Sequence, residues 1–187
     1  MAGAGGCVKI NQKRRDSALH HKSSFIAVDF ETADYGRDSA CAVALVRVEG
    51  SQIVHRSHFL IRPPRQAFIF TYLHGITWEM VAGEPTFGEL WPELKPLLAD
   101  VKFFSAHNAP FDHGVLQACC AAHGLKAPRL PFLCTVTLAR RTWKLFPTKL
   151  PDVCNFLGIP LEHHNAASDA EACAHIVIAA RQGDICK

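Results

Sequence analysis

The sequence predicts a mixed α/β domain: one five-stranded mixed sheet, an antiparallel meander plus two further strands, with helices on both faces. Three observations predict it. Three strand-like runs follow one another across short turns. Two more apolar runs then alternate with helical patterns. The closing segment carries a long helical stripe and no further strand.

Phe25 to Glu31 has strand composition and opens the domain. Val43–Val48 and Ile53–Ile61 read as the next two strands, joined by Glu49-Gly50-Ser51, and Pro63-Pro64 ends the third. Thr86 with Glu89 three residues on forms a capping box and starts a helix toward Leu98, which Pro92 and Pro96 are expected to break into pieces. Val101–Ala106 is the fourth strand. Pro110 opens a helix that runs to His123 and stops at Gly124. Phe132–Val136 is the fifth strand, running into a helix at Thr137–Lys144. A short helix at Leu150–Leu157 ends at Gly158. The last runs from Ala167 to Gln182, with Gly183 as its cap.

The 187 residues suit a single domain, and 49% apolar content fills its core. Residues 1–23 are Gly-rich and then basic, without period, and are expected to be flexible, leaving 24–187 as the folded domain. The net charge of +3 hides an asymmetry: residues 1–24 carry +4, and the rest is close to neutral. No apolar run is long enough to cross a membrane, and the N-terminus lacks the apolar stretch of a secretory signal. The eight cysteines show no C-x-x-C pair. They read as small core residues in a reducing compartment, which predicts a cytoplasmic protein and argues against a zinc or disulfide framework.

Carboxylates stand where apolar residues belong. Asp29 and Glu31 share one face of the first strand, about 7 Å apart along it. Asp112 heads the line Val115, Leu116, Cys119, Ala122 on its helix, and Asp169 heads Ala172, Cys173, Ile176, Ala180 on the last one. Singly, Asp112 or Asp169 reads as a first-turn acid favoured by the helix dipole, and Asp29 with Glu31 as an exposed strand end. Jointly, four carboxylates from three elements converge at one end of a sheet. Buried carboxylates need cations, and oxygen-only donors suit Mg²⁺ or Mn²⁺. Two such ions about 4 Å apart are an apparatus of phosphodiester chemistry. His164, five residues before Asp169, lies on the loop entering the last helix and is placed to act as a general base. Neighbouring His163 reads as a surface residue.

These residues fall in segments that resemble the DEDDh, or DnaQ-like, 3′–5′ exonucleases: Val28-Asp29-Phe30-Glu31-Thr32, His107-Asn108-Ala109-Pro110-Phe111-Asp112, and His164 with Asp169-Ala170-Glu171-Ala172. Leu73-His74-Gly75-Ile76-Thr77 is similar to the family's His-Gly-Ile segment. The resemblance runs from Phe25 to Arg181. It implies a ribonuclease H-like fold and hydrolysis of terminal phosphodiesters of DNA, single-stranded or frayed at the 3′ end, to nucleoside 5′-monophosphates. It further implies that Asp29, Glu31 and Asp169 hold one Mg²⁺ or Mn²⁺, that Asp29 and Asp112 hold a second, and that His164 deprotonates the attacking water. By the same resemblance Thr32 contacts the terminal nucleotide, and His74 and Ile76 line its base pocket. Asn108 orders its loop or touches substrate, and Phe111 offers a stacking face or packs in the core. Pro110 departs from the Ala or Thr common in relatives. RNA is the alternative substrate. A non-catalytic nucleic-acid-binding or polymerase-accessory module is the alternative of another class. Proofreading or DNA repair, with association to a DNA polymerase, is within the family's range, but the short segment after the last helix favours a stand-alone nuclease. Residues 113–151 contain no acid after His113, and Arg140, Lys144 and Lys149 there are expected to track a phosphate backbone.

Overall fold

The computed structural model describes residues 23–183. The expected flexible segment, save Ser23, lies outside them, as do Cys7 and Cys186. Five strands form one sheet: β1 (Phe25–Thr32), β2 (Ala40–Glu49), β3 (Gln52–Leu60), β4 (Phe103–Ala106) and β5 (Phe132–Cys134). Their spatial order is β3-β2-β1-β4-β5. The first three make the expected antiparallel meander, and β4 and β5 add in parallel beside β1.

Alternation along β1 sends Phe25 and Ala27 to one face and Ile26, Val28 and Phe30 to the other. The first face packs with Ala44, Val46 and Phe103 under three helices: α5 (Thr135–Thr142), α6 (Leu150–Leu157) and α7 (Ala166–Gln182). The second packs with Val43, Leu45 and Phe104 under α3 (Phe87–Leu97) and α4 (Pro110–Ala122). Helices therefore cover both faces, and the apolar stripes predicted from spacing are buried except at their far ends, where Ala122 is exposed and Ala180 half-buried. Cys41, Cys119, Cys120, Cys154 and Cys173 are free and buried, as core residues should be.

Several boundaries differ from expectation. Helix α3 is continuous through Pro92 and Pro96. Both prolines face solvent, while Phe87, Leu90 and Leu94 pin the other side to the sheet. The carbonyls left without an amide donor thus lie on the wet face, where water satisfies them. The capping box at Thr86 and Glu89 is present. Strand β5 is only three residues long, because Cys134 already serves as N-cap of α5. Two single-turn helices, α1 (Thr71–His74) and α2 (Trp78–Val81), stand where no element was expected. Among the described residues no helix is long and apolar enough to cross a membrane.

Candidate active site

The site follows from unequal strand lengths. β1 pairs with β4 only from Phe25 to Ala27, and β4 ends at Ala106. Asp29 and Glu31 lie beyond that point, at the carboxyl end of β1. There the chain has antiparallel β2 on one side and parallel β4 on the other, the kind of strand-end opening where α/β sheets bind ligands. A register irregularity after Glu31 ends the regular alternation at Thr32.

The turn from β4 brings in Asp112. Asn108 adopts a left-handed backbone (φ 66°), which Asn tolerates well, and Pro110 occupies the first turn of α4 as expected. Asp112 sits in that turn. Its Oδ1 accepts the Phe30 N–H at 3.1 Å, a donor that β4 is too short to reach. Asp169 arrives from the first turn of α7, which Asn165 caps by accepting the N–H groups of Ala167 and Ser168. Asp112 and Asp169 are 2% and 4% exposed, whereas Asp29 and Glu31 open partly onto the cleft.

Burial raises the proton affinity of all four carboxylates, and neighbouring carboxylate charges raise that of Asp29 and Glu31 further. Burial, then the charges of Asp112, Glu31 and Asp169, push the Asp29 carboxyl well above its usual range. Burial, with Asp169 and Asp112, moves Glu31 to about 8. Burial also raises Asp112 to about 7, against the opposing pull of the Phe30 N–H. Asp169 is raised by burial and eased by His163. Among the described residues no Lys or Arg forms an ion pair with any of the four. The Oδ1 of Asp169 is buried with no hydrogen-bond partner. An all-oxygen cluster of excess negative charge with an orphaned carboxylate oxygen fits hard divalent cations.

The remaining oxygen of Asp169 organises the loop above it. Oδ2 accepts the backbone N–H of His164 at 3.2 Å and the Nδ1–H of His163 at 3.1 Å. The two imidazoles stack at 3.9 Å, and His164 holds a left-handed backbone (φ 67°). His163 is exposed, as its position suggested, but it is also bound to Asp169 and lines the cleft. Its adjacency to His164 was the one available signal.

A cleft of about 650 Å³ gathers Asp29, Glu31, Asp112, Asp169, His164, Asn108 and Phe111 from the sequence-derived set. Thr32, His74 and Ile76 do not line it; they form an adjoining group. The Ile76 N–H donates to His74 Nδ1 at 3.1 Å, so His74 Nε2 carries the hydrogen that reaches the Thr32 carbonyl at 3.2 Å. Burial holds His74 toward its neutral form, which that pattern requires. Ile76 is 7% exposed and packs with Ala33, Cys41 and Val81. Arg140 and Lys149, expected to track a phosphate backbone, line the cleft, whereas three of its features escaped sequence reasoning: His107, His163, and the segment Phe146–Thr148. His107 stood only as a motif letter, and an exposed Phe in a loop has no periodic signature.

Comparisons with known proteins agree with this geometry. The family model for RNase_T, described as an exonuclease, matches residues 26–177. The chain is 33% identical over 168 residues to DNA polymerase III PolC-type of Thermotoga maritima, covering 87% of this chain and 12% of that protein. It is 33% identical over 158 residues to the 3′–5′ exonuclease DinG of Bacillus subtilis, covering 81% of this chain and 17% of that protein. The chain thus spans only a small part of these relatives' length. Among solved structures, Exonuclease X in complex with 5′-overhanging duplex DNA superposes with a TM-score of 0.69 at 25% identity, covering 84% of this chain and 91% of that one. The nuclease domain of 3′hExo, a DEDDh family member bound to rAMP, shares the fold with a TM-score of 0.74 at 18% identity, covering 88% and 94%. With the family match spanning most of the described residues, the chain belongs to the RNase_T family of exonucleases.

Proposed function

We propose that this exonuclease removes nucleotides one at a time from single-stranded or frayed 3′ ends of DNA, using two divalent cations and a histidine base. The observation that carries the reading is the convergence of Asp29, Glu31, Asp112 and Asp169 without a balancing Lys or Arg among the described residues. Asp29, Glu31 and Asp169 are the ligands of one Mg²⁺ or Mn²⁺, and Asp29 with Asp112 serves the other. Cations bound there supply positive charge against the charge that develops on the phosphoryl group and the leaving 3′ oxygen. His164 lines the same cleft and takes the proton of the attacking water on an imidazole nitrogen. The P–O3′ bond breaks, and the products are a nucleoside 5′-monophosphate and a strand with a new 3′-hydroxyl. Thr32, His74 and Ile76 shape the floor for the terminal nucleotide, while Asn108 and Phe111 border the strand. DNA is favoured because the relatives include PolC-type polymerase III and a DNA-bound Exonuclease X. A DNA polymerase is the protein partner this reading favours, in proofreading or repair.

The test is a gel time course with matched 5′-labelled DNA and RNA oligomers in Mg²⁺, Mn²⁺ or EDTA. Metal-dependent shortening from the 3′ end, faster on DNA, is expected. Faster shortening of RNA would move the assignment to an exoribonuclease, and no shortening of either would remove the catalytic reading.

Metal binding also has a signature independent of turnover. Because the folded-state carboxyls bind protons more tightly than unfolded ones, the metal-free native state holds more protons than the unfolded state between about pH 4 and about pH 8. Stability of the metal-free protein therefore falls as pH rises through that window. Mg²⁺ competes with those protons, so the rise in Tm on adding Mg²⁺ should be larger at pH 8 than at pH 5. Differential scanning fluorimetry with and without EDTA reads this directly, and an equal shift at both pH values would contradict it.

A further inference from the structure

Phe146 is 82% exposed, yet the segment that carries it is fixed on both sides. On one side Leu145 and Trp143 pack against the core beneath α5, α6 and α7. On the other, Thr148 is 5% exposed and held twice. Its carbonyl accepts a hydrogen bond from His107 Nε2 at 3.0 Å, and its Oγ1 accepts one from Arg140 Nε at 2.9 Å. The next residue is tied as well, since the Lys149 N–H donates to Asp152 Oδ2 at 2.9 Å. With residues 145 and 148 both drawn inward, Phe146 and Pro147 are displayed rather than frayed.

His107 makes the inner anchor directional. A carbonyl only accepts, so Nε2 carries the hydrogen, and Nδ1 faces Thr135 Oγ1 at 2.8 Å as an acceptor. Burial lowers the His107 pKa to about 4, which keeps this neutral form at working pH. One half-buried imidazole thus ties the turn before α4, which carries Asp112, to the start of α5 and to the Phe146 segment.

The displayed ring lies on the wall of the cleft that contains Asp29, Glu31 and His164. Arg140 and Lys149 line the same wall, and residues 114–151 hold no acid. An exposed aromatic face flanked by cations and continuous with a phosphodiester site has the composition of a single-strand stacking platform. Resting on the exonuclease reading above, we propose that Phe146 stacks on a base of the substrate strand upstream of the terminal nucleotide, with His107 as the positioning residue that holds the platform. The subsite takes any nucleobase, because every base offers a π-face.

The test measures binding of 5′-labelled single-stranded DNA by fluorescence anisotropy in the non-cleaving Asp29→Ala background, with an abasic spacer moved stepwise back from the 3′ end. The unchanged ring should show a loss of affinity of roughly tenfold when the spacer falls at one upstream position. Phe146→Ala should bind the intact oligomer roughly tenfold more weakly and lose that position-dependent penalty, and Phe146→Trp should restore both. His107→Gln should also blunt the positional penalty, a result that general destabilisation does not produce. At 82% exposure Phe146 contributes little to the core, so the Tm of Phe146→Ala should match its parent. Intact affinity in Phe146→Ala, or a positional penalty that survives in it, overturns the platform. If the protein with native Asp29 still shortens the oligomer in that case, only this inference falls; if it does not shorten it, the exonuclease reading falls too.

Discussion

Asp29→Asn should lower 3′-terminal hydrolysis by about a thousandfold or more while raising the Tm of the metal-free protein at pH 8. The two effects have one cause. Asp29 is the carboxylate on which burial and the charges of Asp112, Glu31 and Asp169 all act in the same direction. Its ionised form is the most crowded by like charge, and an amide of the same shape removes that repulsion without leaving a cavity. Each kcal/mol relieved corresponds to roughly 2–4 °C in a domain of this size. The same position is the ligand shared by both cations in the proposed mechanism, so the substitution also removes the donor that joins them. Mg²⁺ should accordingly give a much smaller thermal shift in Asp29→Asn than in the native protein. A variant that loses stability along with activity would indicate that Asp29 holds the fold and not the ions, and retained hydrolysis would remove it from the site.

How far the fold was legible follows from which signals are periodic. The meander, the capping box at Thr86 and Glu89, and the buried stripes headed by Asp112 and Asp169 are repeats of period 2 or 3.6, and each is where the spacing placed it. The prolines of α3 misled because a local rule was applied without orientation: Pro92 and Pro96 are tolerable once both face water. Helices α1 and α2 are single turns, too short to show a period at all.

The carboxylates of the site were legible for a different reason. Acids at the head of an apolar stripe contradict the burial pattern, and contradictions of that kind concentrate at functional positions. His107, His163 and Phe146 contradict nothing. Their significance lies in side-chain hydrogen bonds, His107 to Thr148 far along the chain and His163 to Asp169 across the entry to α7, or in the fixing of a loop between two anchors. No spacing rule encodes either. Ile76 owes its place to its motif context alone: it is buried with Ala33, Cys41 and Val81, and its N–H donates to His74 Nδ1.

The largest loss attributable to proton transfer should come from His164→Gln, at about 10²–10⁴-fold in kcat. The prediction separates it from Asp29→Asn, because the carboxylates remain and the Mg²⁺-induced rise in Tm should persist. The structure also supplies a rival that the sequence did not. Asp169 Oδ2 accepts the Nδ1–H of His163, which leaves the opposite nitrogen of that ring free to accept a proton, in the manner of a carboxylate-oriented base. His164, by contrast, is tied to Asp169 through its backbone N–H, so that carboxylate engages neither of its ring nitrogens. A base must reach a water beside the scissile phosphate, so a ring not committed to Asp169 favours His164, whereas His163 is bound to the posture of Asp169. His163→Gln should therefore cost less in kcat than His164→Gln and should reduce the Mg²⁺ shift, through the loosened Asp169 carboxylate. The opposite ranking, with His163→Gln nearly inactive and His164→Gln close to native, would transfer the base to His163 and leave His164 as the residue that stacks upon it.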